Sequence, residues 1–209
     1  MFFSPRRFQL RAAVPNQAQG SALLEFAISL PILVLFVVGI YDFSEALNLK
    51  QKIQQAVQEG AIVAGAQPTS DLQSASGSNP TSTQAVAAAI LNSLTGSGVL
   101  ASGACSAPGT PTLAGMTWTY AITCNTPADS LVISINRGWV CGSAPPPQCP
   151  SAPTPPCTSS PVAVGSSVAV TYPYHWKLFG SVLQLITPGP NGYSSPTTLA
   201  ECASVHNQM

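Results

Sequence analysis

The sequence predicts an α+β protein: one long N-terminal helix, apolar in its first half and amphipathic in its second, packed on a small antiparallel sheet and stabilised by disulfides. Three observations carry that prediction. Phe26 to Tyr41 is an uncharged apolar run, after which apolar or small residues recur at spacings of three and four as far as Ala64. Segments of two-residue alternation follow, beginning with MTWTYAITC at Met116 to Cys124. All six cysteines, Cys105, Cys124, Cys141, Cys149, Cys157 and Cys202, lie beyond the apolar run.

Composition narrows the class. Of 209 residues 45% are hydrophobic, enough for one modest core plus an anchor, and neither a collagen-like nor a disordered chain fits. Only 7% are charged, against about 25% in ordinary soluble domains, which leaves a neutral polar surface of the exported kind. The formal charge is zero, yet Arg6, Arg7 and Arg11 all fall in the first eleven residues. Without residues 1–20 the chain keeps four basic and seven acidic side chains. No basic patch remains to neutralise phosphates, so nucleic acid is excluded as a partner.

Met1 to Gly20 is a polar leader, too polar to span a membrane. Ser21 to Tyr41 is a run of twenty-one residues whose only charge is Glu25. As a helix it reaches about 31 Å, close to the thickness of a bilayer's hydrocarbon. Arginines precede it, whereas Asp42, Glu45, Lys50 and Lys52 follow with no net positive charge, so the leader is expected in the cytoplasm and the bulk outside it. Pro31 removes one helical hydrogen bond and invites a kink that membrane helices tolerate.

The helix is predicted to continue as an amphipathic stem over 42–67. Phe43, Ala46, Leu49, Ile53, Ala56, Val57, Gly60, Ala61 and Ala64 form one face, Gln51, Lys52, Gln55, Gln58 and Glu59 decorate the rest, and Pro68 marks the stop. The exported α+β domain then occupies 68–209. Thr81-Ser82-Thr83-Gln84 fits a capping box for a short second helix with Val86, Ile90, Leu91 and Leu94 as its stripe. In Met116 to Cys124, Met116, Trp118, Tyr120, Ile122 and Cys124 share the core face of a strand. Ser130 to Ile135 and Val162 to Tyr172 read as two more strands, with a turn at Asn125 to Asp129. From Pro173 the chain is less regular, and Leu178 to Ile186 fits helix or strand.

Cys141 to Cys157 holds three cysteines at intervals of eight with seven prolines among them. It cannot pack as helix or sheet, and disulfides would pin it as a surface loop. An even count on one side of the span points to an oxidising compartment and up to three disulfides, in any of fifteen pairings; buried free thiols are the alternative. The gaps are wide, C-x-x-C is missing and His175 and His206 are the only histidines, so no metal site is predicted.

The sequence holds little that would do chemistry. No G-x-S-x-G turn, H-E-x-x-H motif, phosphate loop or paired catalytic carboxylates occur, so neither an enzyme nor a cofactor is predicted. Tyr172-Pro173-Tyr174-His175-Trp176 is an aromatic cluster that either closes the core at a strand end or binds a sugar or partner surface.

Glu25 asks for an explanation, since an ionised carboxylate near the centre of a membrane helix costs roughly 2.5 to 3.5 kcal/mol. Gly20, a short apolar segment, Glu25 five places on and then Phe26 resemble the prepilin peptidase signal of type IV pilin-like proteins. Glu25-Phe26-Ala27, Leu30-Pro31, Gly39-Ile40-Tyr41-Asp42-Phe43, Ala46, Gln54, Ala56, Glu59-Gly60-Ala61 and Ala64 resemble the TadE-like family of the tight-adherence (Tad, or Flp) pilus system, and Val168 to Pro173 resembles a strand of that family.

The resemblance implies a pilin-like fold and a minor pseudopilin that assists assembly or priming of an adhesive pilus. It implies cleavage between Gly20 and Ser21 by a prepilin peptidase on the cytoplasmic side. Its other implied partners are Tad/Flp pilins, minor pseudopilins and the inner-membrane assembly platform. The protein would cross the inner membrane once, with its C-terminal domain periplasmic or extracellular. Glu25 would then pair with the fresh α-ammonium group, its own or a neighbour's, and with Phe26 set the register of packing. The contrasting expectation is an exported binding module or adhesin on an uncleaved signal-anchor, with Glu25 snorkelling to the interface.

Overall fold

The computed structural model of this chain describes residues 17–72, 79–125, 130–140, 149, 164–178 and 196–208. Two helices lie on one face of a five-stranded sheet, as the α+β reading requires.

Helix α1, Gln17–Ala66, is continuous through Pro31. It starts four residues before Ser21, so Gly20 lies within the helix and not ahead of it; Gln and Ala are good helix formers that extend it backwards. Along the stem Ala46, Ile53, Ala56, Val57, Gly60, Ala61 and Ala64 are buried and Leu49 is half-buried, as the spacing predicts. Phe43 departs from that face: it is exposed, for reasons described below.

Helix α2, Thr81–Gly96, packs on α1 through Val86, Ala87, Ile90 and Leu94. The predicted capping box is not formed. Pro80 is the N-cap residue, already extended and without a side-chain cap, which pushes Thr81 into the first turn. Asp71, from a single 3-10 turn at Ser70–Leu72, takes over: its carboxylate accepts the Ser82 N–H at 2.8 Å and the Ser82 hydroxyl at 3.1 Å. An anion supplied from outside thus satisfies an orphan donor at the positive end of α2.

Strands β1 (Thr112–Ala114), β2 (Thr117–Thr123), β3 (Ser130–Val140), β4 (Val164–Tyr174) and β5 (Thr197–His206) form an antiparallel meander in chain order. Trp118, Tyr120 and Ile122 face the helices together with Leu131, Ile133, Ile135, Val168, Val170 and Tyr172. Met116 does not join them. It stands 45% exposed in a two-residue hairpin loop, where Gly115 takes the positive φ (61°) that turn demands. Asn125 to Asp129 connects β2 to β3, but 126–129 lie outside the described residues, as does most of Leu178 to Ile186.

Strands β1 and β5 are additions to the predicted set. In β5, Leu199, Ala203 and Val205 pack against the core, while Glu201, on the same face, forms an ion pair with Lys50 of α1 at 3.1 Å. That charge interrupts the apolar alternation and hid the strand. At the far end Arg137, 1% exposed, donates through Nη2 to the Gln67 carbonyl at 2.9 Å, bringing a cation to the end of α1, whose last turn has none of its own. Burial lowers its pKa and Asp71 opposes that shift.

Two disulfides are described. Cys105–Cys124 ties the chain after α2 to the end of β2, and Cys149–Cys202 ties the Pro/Cys segment to β5. Their sequence separations of 19 and 53 correspond to about 3 and 4 kcal/mol of lost unfolded-chain entropy. Cys149 is fully buried and not on the surface, because the outer face of the sheet is itself covered here: Ser134, Ser167 and Ala169 are buried. Cys141, Cys157 and the rest of that loop lie outside the described residues.

Candidate functional site

Among the described residues nothing covers the first half of α1. From Ser21 to Val34 every side chain is exposed, and thirteen large apolar side chains between Leu23 and Phe43 remain so. Burying each is worth roughly 1.5 to 3 kcal/mol, so water is not the solvent of this segment. Among the described residues α1 is the one helix long and apolar enough to cross a membrane. Glu25 and Phe26 stand exposed within it. Further along, Ile32, Leu35, Phe36, Gly39, Ile40 and Phe43 line one apolar groove of about 610 Å³.

Where this half ends, the domain reaches back to it. Asp42 is fully buried; its Oδ2 accepts the Leu178 N–H at 3.0 Å, and its main-chain carbonyl accepts the Tyr174 hydroxyl at 3.4 Å. Trp176 stands edge-on to Phe43 at 5.2 Å and to Tyr174 at 5.3 Å, and donates its indole N–H to Thr197 Oγ1 at 2.9 Å. Lys177 is ion-paired with Glu45. Phe43 therefore packs on the strand end and not on the core. Of the aromatic cluster, Tyr172 and Tyr174 are buried and close the core, whereas His175 is exposed.

Above this junction Glu45, Asn48, Lys52, Tyr172, His175 and Lys177 help line a cleft of about 370 Å³. Among the described residues no three His, Cys, Asp or Glu are grouped to hold a metal ion.

Burial first, then the negative charges of Glu45 and Asp42 and the neighbouring Tyr41, push the Tyr174 phenol from 10.0 up to about 12. In the unfolded chain that phenol ionises near 10 while the native one stays protonated, so stability falls as pH rises from about 10 towards about 12. Lys177, raised by its hydrogen bond to Glu45, works in the same direction: its contribution is present below 10.5 and lost above it. The Tyr120 phenol, raised by burial against the opposing Thr83 hydrogen bond, adds to the fall. Tyr174→Phe is therefore expected to reduce, without abolishing, the drop in urea midpoint between about pH 8 and pH 11. Equal drops in variant and parent would refute the assignment.

The helix itself has a close approach built into it. A Cβ at Gly60 would lie 2.5 Å from Ile90 Cγ1, so α1 and α2 meet there with no room for a side chain. The segment from the apolar half to this contact is the part of the chain with known counterparts. Residues 20–61 match the family model described as TadE-like protein. No curated protein and no solved structure matches the chain. The matched residues include the apolar half of α1, which is long and apolar enough to cross a membrane.

The TadE-like segment takes in Gly20, Ser21, Glu25 and Phe26, the Asp42–Phe43 junction and the Gly60 contact, and stops before the sheet begins. Of these, sequence reasoning missed the role of Asp42, which reads as an ordinary flanking acid until Leu178 is placed beside it. An acid directly after a span and ahead of an aromatic was the available signal.

Proposed function

We propose that this chain is a minor pilin-like subunit that assists assembly or priming of a Tad/Flp-type adhesive pilus. It sits in the inner membrane with residues 1–20 cytoplasmic and the domain outside, and a prepilin peptidase cuts between Gly20 and Ser21. Its partners are other Tad/Flp pilins, minor pseudopilins and the inner-membrane assembly platform. Subunit contacts, not catalysis, carry the function.

The observation that supports this reading is the half-helix at Ser21–Tyr41, exposed along most of its length yet continuous with a stem packed on a folded domain. Such a segment is covered by lipid before assembly and by neighbouring helices within it. Cleavage would leave an α-ammonium group one helical turn from Glu25, whose charge is otherwise costly in lipid.

N-terminal sequencing of the protein from membranes with and without the peptidase tests the reading. The expected terminus is Ser21, only when the peptidase is present. An intact Met1 in both would leave a signal-anchored module in its place.

A further inference from the structure

The Tyr174–Leu178 segment lies at one defined height on α1. The predicted span ends at Tyr41, and the residues that meet this segment, Asp42 to Glu45, lie about 2 to 6 Å further along the helix. The headgroup layer on each side of the hydrocarbon is about 5 to 8 Å thick. The segment and the end of the span thus share one layer.

Its chemistry suits that layer. Tyr41 is 58%, Phe43 51% and Leu178 44% exposed, and Trp176 is partly exposed beside them. The indole N–H is already bonded to Thr197, and the ring is braced against Phe43 and Tyr174, so an apolar edge is presented in a fixed attitude. Lys177 is 60% exposed and its stem can lie along apolar surface while its charge stays in water. Asp42 would be a liability at a lipid boundary, yet it is fully buried and accepts the Leu178 N–H. Aromatic residues with a lysine are what membrane-water interfaces select.

We propose that Tyr174–Leu178, together with Tyr41 and Phe43, is a second membrane contact: it enters the lipid headgroup layer on the exported side and seats the domain against the bilayer. This rests on the membrane-spanning reading of α1. The occupant is lipid because the surface is continuous with the span and level with its end. The domain is thereby held at one height before assembly, and leaving the membrane requires this surface to leave lipid as well as the helix.

The test uses the full chain in vesicles of phosphatidylcholine and phosphatidylglycerol, with a nitroxide on either the headgroup or the middle of the acyl chain. Trp118→Phe and Trp139→Phe leave Trp176 as the reporter. Headgroup nitroxide is expected to quench it at least about two-fold more than mid-chain nitroxide, with poor quenching by aqueous iodide. Should the double variant fail to fold, the difference between the parent and Trp176→Phe reports the same quantity. Strong iodide quenching with no effect of either nitroxide would overturn the proposal, and so would shielding from all three, which would mean that protein covers the surface. Leu33→Trp in a Trp-free background separates the two readings. If it is quenched from mid-chain and Trp176 is not quenched from the headgroup, only the seat is wrong; if Leu33→Trp is not quenched, the spanning reading falls and the seat with it.

Discussion

Gly60→Ala is expected to destabilise the protein by about 1 to 3 kcal/mol, although alanine is the better helix former by about 1 kcal/mol. The added Cβ would lie 2.5 Å from Ile90 Cγ1 and 2.7 Å from Ile90 Cδ1, and Ile90 is fully buried with nowhere to swing. Overpacking therefore outweighs propensity, and the two helices must separate or Ile90 must leave its rotamer. Gly96→Ala serves as the internal comparison, since nothing lies within 4 Å of a Cβ there. Urea unfolding in detergent reads both. A Gly60→Ala midpoint at or above the parent's would refute the close packing. Adding Ile90→Ala to Gly60→Ala should cost less than the sum of the single changes, because the new methyl then partly fills the space that Ile90 vacates.

Glu25→Ala is expected to have the largest effect on function with the smallest on folding. The side chain is exposed, far from the core, and takes part in neither the Lys50–Glu201 nor the Lys177–Glu45 pair. Membrane insertion and cleavage at Gly20 should survive, because removing a charge from an apolar helix favours lipid. Pilus assembly and cross-linking to partner pilins should be lost, since a buried ammonium group in the assembly would lose its counter-charge, worth about 3 to 5 kcal/mol for a broken buried pair. Glu25→Gln separates charge from shape: it should fail as alanine does. Normal pili and normal cross-linking in either variant would show that Glu25 does not set register.

Much of the fold was legible because its signals are local. The stem face from Ala46 to Ala64 follows from helical spacing alone, and β2 from the alternation of Trp118, Tyr120 and Ile122. Helical spacing places Gly60 on that face, but the reason it must be glycine, the Ile90 side chain, lies thirty residues away. The capping box failed for a related reason. Thr81-Ser82-Thr83-Gln84 has the right residues, but Pro80 took the N-cap position and Asp71 came within reach through the packing of a separate turn. Strand β5 was hidden by Glu201, which looks solvent-facing until Lys50 of α1 is set opposite it.

Local pattern in the sequence fixes the long apolar-then-amphipathic helix and the alternation of the central strands, and it marks Glu25 as the one charge within an apolar run. Each of these is fixed by periodicity or by the solvation cost of one charge. Tertiary packing alone sets which cysteines pair as Cys105–Cys124 and Cys149–Cys202, shelters Asp42 beneath Leu178, and stands Trp176 beside Phe43 at the end of the apolar half of α1. These are contacts between segments up to 136 residues apart. They depend on strand register and on how the helix lies across the sheet, which no local pattern encodes.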